Sequence, residues 1–474
     1  MSRLTVLAAL FAAIAAAGCA STNPQATFDS VSTSFKDRSG MDLRWSRSSA
    51  QAAETEQLVR QLLAEPIDAE RAERIALLNN PELQAELEEL GIAQADLARA
   101  TRIANPSLDA FVRAPRGGGA ANVEVSIAED ILDVLMQPLR RRLGMAALEE
   151  TKLRVGDKLL RAGAAAKSAL FTLQASDQLV ARLETIEQIN RSAFELAERQ
   201  QAAGNISELD LANHQALYEQ ARIDVVQARA QSRVDREALN RELGAWGDEA
   251  DFQIVAGLPA LPNTDPTLSG LESLAMERRL DLAAGRLAID IVGQALAIKK
   301  GTRFLPAGIE VGVSRERDTD RRVVLGPTLR IQIPVFDTGA ASVAALEAQY
   351  RQSQRQLEAL AVRARSEVRT AQDLLISARD RTEHYQHVVL PLRVRILEQT
   401  LLHYNMMLKG AYDVLLARQQ EAEVEKTYIT AWRDYWIARV ELERSVGGRL
   451  PAPDATSAAT ATNEHPDGSP GGHR

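Results

Sequence analysis

Two histidines and two methionines are the residues whose types and spacing could bind a metal ion. His384 and His387 lie one helical turn apart in EHYQH, a spacing that brings two imidazoles to one ion. No third ligand accompanies them in the sequence, so a solvated helix surface is the favoured interpretation. Met406 and Met407, beside Lys409, offer soft sulfur ligands, but methionine is far commoner as core filling. We therefore predict neither a metal site nor a cofactor.

Enzyme motifs are missing from the sequence. The chain has no phosphate-binding Walker loop, no nucleophile motif and no dinucleotide-binding glycine motif, so an enzyme is not expected. Of the 474 residues, 45% are apolar but only 4% are aromatic, a composition typical of long helices packed through small side chains. The net charge of -8, without a basic cluster, argues against a nucleic-acid partner.

The amino-terminal segment has the layout of a secretory signal peptide. Arg3 precedes an apolar stretch over residues 4–17, and small residues lead to Cys19, the only cysteine. Because a Gly-Cys pair closes it, the segment 1–18 resembles a bacterial lipoprotein signal. This resemblance implies a covalent lipid on Cys19 and anchoring in outer-membrane lipid. A plain signal cleaved nearby is the alternative. After residue 22 there is no apolar run of about 18 residues, so no transmembrane helix is predicted.

Two long helical stretches dominate the remaining chain. From residues 139 to 246, and again from 339 to 446, nearly every residue favours a helix. Each stretch has one break, at Gly204 and at Gly410. Glycine costs about 1 kcal/mol relative to alanine inside a helix and suits a left-handed helix end. Each helix before its break covers roughly 66 to 70 residues, or about 100 Å.

Two other stretches alternate apolar and polar residues. VEVSIAED belongs to a hairpin over about residues 106–133, and VVLGPTLRIQIPVFD to a hairpin over about residues 306–336. This period of two predicts β-strands. Two lone hairpins do not form a stable sheet in one chain. We therefore infer that several copies pool their strands into a closed membrane barrel, apolar outside and polar inside.

The spacing of these features indicates an internal duplication. Three pairs of residues match at an offset near 200: Pro106 with Pro306, Gly204 with Gly410, and Gly244 with Gly447. The chain thus contains two copies of one unit, which consists of a helix, a hairpin, a long helix, a reversal and a second long helix. We divide it into a signal peptide (1–18), a polar and irregular N-terminal linker (19–55), a first repeat (56–250), a second repeat (251–448) and a disordered tail (449–474).

Several segments in this order resemble the outer-membrane factors of tripartite efflux systems, the TolC-like family. They include NNPELQAELEELGIAQADLARATRIANPSL, IQIPVFDTGAA, GNISELDLANHQALYEQARID and YNMMLKGAYDVLLARQQ, and the likeness runs from about residue 55 to residue 448. The resemblance implies a mainly α fold with a membrane β-barrel. It also implies a homotrimer, in which four strands and four helices per chain build a 12-stranded β-barrel on a 12-helix periplasmic α-barrel. A periplasmic adaptor protein and an inner-membrane efflux pump are the implied partners.

The same resemblance assigns the two helix breaks to the periplasmic tip, where the channel closes and the adaptor binds. Gly204 and Gly410 then mark the tip turns. The candidate gate or adaptor contacts are Glu208, Asp210, Lys409, Tyr412 and Asp413. Each is also explained as a helix cap or a solvated surface residue. Asp210 follows its glycine by six positions and Asp413 follows by three, which predicts two turns that are not identical.

A protein of another class is the alternative. Long alanine-rich helices and Cys19 equally suit a periplasmic coiled-coil lipoprotein with a structural or adaptor role and no pore. The hairpins distinguish the two, because such an adaptor buries one face of a soluble β-domain. The sequence does not identify the cargo, although YNMMLKG is similar to relatives associated with heavy-metal efflux.

Overall fold

The computed structural model describes residues 23–263, 268–305, 308–333 and 335–451, and most of them are helical. In the first half the helices are Pro24–Ser39 (α1), Ser49–Leu63 (α2), Ala69–Asn79 (α3), Pro81–Thr101 (α4), Ile131–Ala202 (α5) and Glu208–Leu243 (α6). In the second half they are Leu271–Arg278 (α7), Leu280–Thr302 (α8), Ala340–His384 (α9), Leu390–Asn405 (α10) and Ala411–Val446 (α11). The signal peptide with Cys19, Pro306, and the tail after residue 451 lie outside the described residues.

The order of elements runs twice through the chain. A short helix, a medium helix, a hairpin, a long helix and a 36-residue helix occur as α3 to α6, and the same series recurs as α7 to α11. Two compact units each draw on both copies. Of the described residues, one unit contains 23–31, 86–156 and 280–361, and the other contains 32–85, 157–279 and 362–451.

The strands form one antiparallel sheet with the order β1, β2, β3, β4. They are Ser107–Arg113 (β1), Asn122–Asp130 (β2), Ile309–Arg317 (β3) and Val323–Ile331 (β4). Both predicted hairpins are therefore confirmed. The two hairpins are not isolated, however, because β2 pairs with β3 from Val123 opposite Arg317 to Asp130 opposite Glu310. The expectation of two lone hairpins per chain is wrong on this point, since residues nearly 200 positions apart supply each other's backbone partners.

Each repeat has its own buried core where the short helix meets the two long ones. In the first repeat Ile75 of α3 packs with Leu170 of α5 and Leu239 of α6. In the second repeat Leu271 of α7 packs with Val368 of α9, and Leu442 of α11 completes the same cluster. Burial of these side chains against neighbouring helices stabilises helices whose composition is otherwise polar.

The segment expected to be an irregular linker is largely helical. Helix α1 occupies residues 24–39 and α2 begins at Ser49. Phe28, Val31 and Phe35 are buried and lie three and four positions apart, so they form one apolar face of a helix. The prediction from composition was wrong because three well-placed apolar residues suffice to hold a Ser-rich segment in a helix by tertiary contacts.

Pro391 interrupts the second long helix, and a local change of helix type accommodates it. A π-helical turn, Tyr385–Val389, separates α9 from α10, and the Leu390 N–H donates to the Tyr385 carbonyl five residues back. Proline removes one backbone donor and crowds the preceding turn, and such turns relieve that crowding. Across the described ranges, no helix is both long and apolar enough to span a membrane.

Candidate functional site

The first helix reversal, between α5 and α6, begins with a left-handed glycine. Gly204 has φ of +75°, its N–H donates to the Gln201 carbonyl at 2.9 Å, and the Asn205 N–H donates to the Gln200 carbonyl at 2.8 Å. These two bonds are those of a Schellman motif, which satisfies the last carbonyls of a helix.

The second reversal, between α10 and α11, has the same motif without glycine at its left-handed position. Met407 has φ of +62°, and its N–H donates to the Tyr404 carbonyl at 2.9 Å. The Leu408 N–H donates to the His403 carbonyl at 2.9 Å. Gly410 itself has φ of -85°, so it does not supply the left-handed residue that the sequence suggested.

The next helix begins at a capping residue in both reversals. In the first, the Ser207 hydroxyl accepts from the Asp210 N–H at 3.1 Å, and the Asp210 carboxylate accepts from the Ser207 N–H at 3.2 Å. This reciprocal pair is a capping box. In the second, the Asp413 carboxylate accepts from the Gly410 N–H at 2.9 Å, but Gly410 has no side chain to return the bond.

The two reversals therefore have equivalent backbones. Their residue types differ at the left-handed position and at the capping position. Gly204 matches Met407, Ser207 matches Gly410, and Asp210 matches Asp413, all at an offset of 203 residues, which is also the offset from Gly244 to Gly447. Matching Gly204 with Gly410 was wrong by three residues. The predicted difference between the two aspartates disappears, because both occupy the third position of a helix.

Tyr412 joins the two reversals. Its hydroxyl donates to the Gln200 Oε1 at 2.9 Å, and its ring stacks on His214 with the ring centroids 4.4 Å apart. Partial burial, together with the nearby negative charge of Asp210, raises the pKa of Tyr412. The side chain thus fastens the start of α11 to the end of α5 and the second turn of α6.

Hydrogen bonds hold both tip aspartates in the charged form. The Ser207 hydroxyl, followed by the Ser207 N–H, lowers the pKa of Asp210. The Gly410 N–H, followed by Lys409, lowers the pKa of Asp413, and the Lys409 Nζ lies 3.2 Å from the Asp413 Oδ1. Among the five candidate contacts, these two carboxylates and Lys409 are therefore partly explained by helix capping.

The surface around both turns is rich in exposed apolar side chains. Leu209 is 72% exposed and Met407 is 93% exposed. Met406 and Leu408 are exposed as well, and Glu208, next to Leu209 in the chain, is an exposed carboxylate. Met406 and Met407 are therefore not core filling, which corrects the sequence interpretation. No cluster of three or more metal-ligating side chains occurs in the part of the chain that the structure describes.

The sheet has one mainly apolar and one mainly polar face. Directly paired residues share a face, and Leu108, Ile127 and Val313 are paired across three strands. Asp109, Ser126 and Ser314 form the adjacent row on the other face. Many apolar side chains of the first face are exposed, including Leu108, Val112, Val125, Ile127, Val311, Val313, Leu325 and Leu329. An exposed apolar surface of this size marks a contact with lipid or another protein.

Sequence reasoning missed three residues of the tip. Ser207 was detectable, because Ser-x-x-Asp before a helix is the signature of a capping box. Gln200 and His214 were not detectable, since their common partner Tyr412 lies about 200 positions away in the sequence.

The fold of this chain is similar to that of several solved structures. No protein-family model and no curated protein matches the chain. Among solved structures, a membrane protein from Pseudomonas aeruginosa matches with a TM-score of 0.65 and 19% identity, over 81% of this chain and 93% of that chain. The Campylobacter jejuni CmeC outer membrane channel matches with a TM-score of 0.65 and 14% identity, over 86% and 88%. CusC, studied for its transmembrane channel formation, matches with a TM-score of 0.64 and 16% identity, over 82% and 94%.

These matches confirm the resemblance at the level of the fold. The chain has the architecture of TolC-like outer-membrane channels: a mainly helical protein with a small antiparallel sheet. Since identities are below 20%, the sequence motifs alone carry little of this likeness, and the order of elements carries most of it.

Proposed function

We propose that this protein is the outer-membrane channel of a tripartite efflux system. Three chains form a 12-stranded β-barrel above a 12-helix α-barrel, and the assembly passively conducts substrates when docked to a periplasmic adaptor protein and an inner-membrane pump. A lipid on Cys19 provides a second anchor in the outer membrane. The protein itself catalyses no reaction.

The observation that carries the proposal is the two-faced sheet. Four strands with an apolar face and open edges at β1 and β4 cannot close on themselves, whereas about 12 strands enclose a water-filled lumen. The apolar face then contacts lipid and the polar face lines the lumen. A periplasmic coiled-coil lipoprotein has no use for an exposed apolar sheet, so this observation argues against the alternative.

The two helix reversals are proposed as the docking and closing surface. Exposed Leu209, Met407 and Leu408 offer apolar contact to the adaptor, and Glu208 offers charge. Each of the three chains contributes Asp210 and Asp413, so the trimer places up to six carboxylates at the constriction. Such a ring favours cations in the pore.

Pore formation is tested in planar lipid bilayers. Protein purified in mild detergent is expected to run as a trimer and to give discrete single-channel currents. Replacing Asp210 and Asp413 together by Asn is expected to reduce cation selectivity with the trimer intact. A stable monomer without conductance contradicts the proposal. Mass spectrometry of the mature protein tests the lipid on Cys19 separately, because an unmodified amino terminus removes the anchor without removing the channel.

The orientation of the sheet is tested with two adjacent arginine substitutions. Ile127→Arg places a charge on the apolar face and is expected to cost about 2 to 4 kcal/mol if the site lies near the bilayer midplane. Ser126→Arg places the same charge on the polar face and is expected to be mild. The yield of heat-resistant trimer in membranes measures both. Equal tolerance at the two positions means that the apolar face does not contact lipid.

A further inference from the structure

A partly apolar cavity lies below the sheet, where α5 begins, α8 ends and the loop before α9 passes. Its volume is about 300 Å³, at the lower end of the range for small-molecule sites. Apolar side chains line much of it, namely Leu132, Met136, Leu139, Leu143, Ile298 and Leu305. The rest of the lining is formed by Arg140, Lys299, Thr302, Arg303, Asp337 and Gly339.

The cations of this cavity have unused hydrogen-bonding capacity. The Nε atoms of Arg140 and Arg303 are buried, and neither donates a hydrogen bond to any described residue. A buried donor without an acceptor destabilises a fold unless a ligand or water supplies the acceptor. Both arginines line the same cavity, which therefore offers two donors without an acceptor to an anionic group.

Charge pairing distinguishes Lys299 and Arg303 from the cations near them, since the Arg140 Nη1 already lies 2.6 Å from the Asp133 Oδ1. Among the described residues, Lys299 and Arg303 form no ion pair with a carboxylate, whereas Lys300 pairs with Glu347 at 2.6 Å. The Asp337 Oδ1 accepts from the Gly339 N–H at 2.8 Å, so this carboxylate is partly engaged by its own loop. Lys299 and Arg303 therefore carry charge that the protein leaves available.

Exposed apolar side chains surround the cavity. Phe304 is 71% exposed, with the Arg303 guanidinium 4.5 Å from its ring centroid. Phe336 is fully exposed, and Leu135 and Val335 are exposed as well. Aromatic and basic residues side by side are typical of the level at which a membrane surface meets water. A small soluble anion has no use for such apolar walls.

We infer that this cavity binds a membrane phospholipid. Its phosphate accepts hydrogen bonds from Arg303, Lys299 and the Arg140 Nε, and the first part of an acyl chain lies along Met136 and the leucines. Guanidinium groups pair with phosphate oxygens in this way. The inference rests on the proposed function, since it requires the sheet to lie in a membrane with this cavity at its periplasmic side.

Binding of phosphatidylglycerol to the full-length protein in non-ionic detergent tests the inference. Native mass spectrometry counts the bound lipid, and fluorescent phosphatidylglycerol gives its affinity. Lys299→Met with Arg303→Met is expected to weaken binding by about tenfold or more, as the loss of charged hydrogen bonds implies. The matched control, Lys300→Met, is expected to bind like the wild type. Met136→Trp fills the cavity without changing its charge and is also expected to lose binding, so it decides the matter if the double variant fails to fold.

Two further probes identify the source of the phosphate. Excess inorganic phosphate is expected not to displace the lipid, and diacylglycerol, which lacks the phosphate, is expected not to bind. Unchanged lipid binding in the double variant and in Met136→Trp overturns the inference, as does complete displacement by inorganic phosphate. Channel conductance of the same samples separates the two proposals. A conducting protein without the lipid site refutes only this inference, and a protein without conductance refutes the proposed function.

Discussion

The ends of α6 and α11 are equivalent joints in the two repeats, and they reach one geometry with different chemistry. Gly244 and Gly447 end these helices with φ of +67° and +87°. An added Cβ at Gly244 would lie 2.7 Å from the Asn79 carbonyl oxygen, and one at Gly447 would lie 3.2 Å from that of Arg278. Left-handed conformation and close approach both require glycine here. The backbone of the joint is thus the same in the two copies.

The side chain that fastens the joint differs. The Asn80 Nδ2 donates to the Glu242 carbonyl at 3.0 Å, whereas the Arg279 Nη1 donates to the Ser445 carbonyl at 3.3 Å. The two carbonyls are equivalent at the offset of 203. Arg279 is only 3% exposed and pairs with Glu367 at 2.7 Å. The two copies therefore share the acceptor, a carbonyl near the end of the last helix. The donor is a neutral amide in one copy and, in the other, a guanidinium whose charge is balanced by a carboxylate.

The largest expected effect comes from removing the charged donor. Arg279→Met removes the partner of Glu367 at 2.7 Å and leaves the more distant Arg444 at 3.4 Å, and we expect a cost of about 3 kcal/mol, as for one partner of a buried ion pair. Asn80→Ala removes a neutral donor together with the Oδ1 that accepts from the Glu82 N–H at 2.9 Å, and is expected to cost about 1 to 2 kcal/mol. Urea denaturation followed by circular dichroism measures both.

A double variant sharpens this comparison. Adding Glu367→Gln to Arg279→Met removes the carboxylate that has lost its nearest cation, so it is expected to restore part of the lost stability. If Asn80→Ala proves as costly as Arg279→Met, or if Glu367→Gln restores nothing, the charge of the second joint has no energetic role beyond the hydrogen bond.

A smaller effect is expected from the left-handed residue of each reversal. Gly204→Ala is expected to destabilise the first reversal by about 1 kcal/mol, because side chains disfavour this conformation. Met407→Gly is expected to stabilise the second by up to about 1 kcal/mol for the same reason. Hydrogen exchange of the Asn205 and Leu408 amides, which close the two Schellman motifs, reports each change locally. Faster exchange at Leu408 in Met407→Gly contradicts the equivalence of the turns.

The smallest expected effect is a difference in acid sensitivity between the two reversals. The pKa of Asp210 and that of Asp413 are both lowered, so their capping is present above the ordinary carboxyl pKa and is lost as pH falls through the lowered values. When Asp210 is protonated, the Ser207 hydroxyl still accepts from the Asp210 N–H. Gly410 has no such group. As pH falls, the first amides of α11 are therefore expected to lose more protection from hydrogen exchange than the first amides of α6.

Gly410→Ser is the matched control for this difference. Gly410 already has an extended backbone, and an added Cβ would meet the Asp413 Oδ2 at 3.7 Å, which is ordinary contact. The serine is therefore expected to complete the capping box and to make α11 as acid-resistant as α6. Amide protection factors, corrected for intrinsic exchange at each pH, measure the change. Equal fraying of α6 and α11 in the wild type shows that Ser207 contributes nothing at low pH.

Much of the candidate site was predictable because it is local. The alternation in VEVSIAED places Ile127 and Ser126 on opposite faces of the strand, and Gly204 takes the left-handed position at which a helix commonly ends. The three-residue error in matching the breaks arose because Met407, not a glycine, takes the left-handed position. Residue type alone does not show that the backbone hydrogen bonds of this turn place a methionine in the left-handed conformation.

The sequence by itself determined the strands, the long helices, their reversals and the duplication, because each depends on a period or a conformational preference within a few residues. Only the tertiary structure decided that β2 pairs with β3, that α1 is a helix, that Tyr412 reaches Gln200, and that Arg279 replaces Asn80 in the second joint. These contacts join residues from dozens to hundreds of positions apart. Their stability comes from burial and from satisfying a particular carbonyl or carboxylate, and no local pattern in the chain encodes which distant group that is.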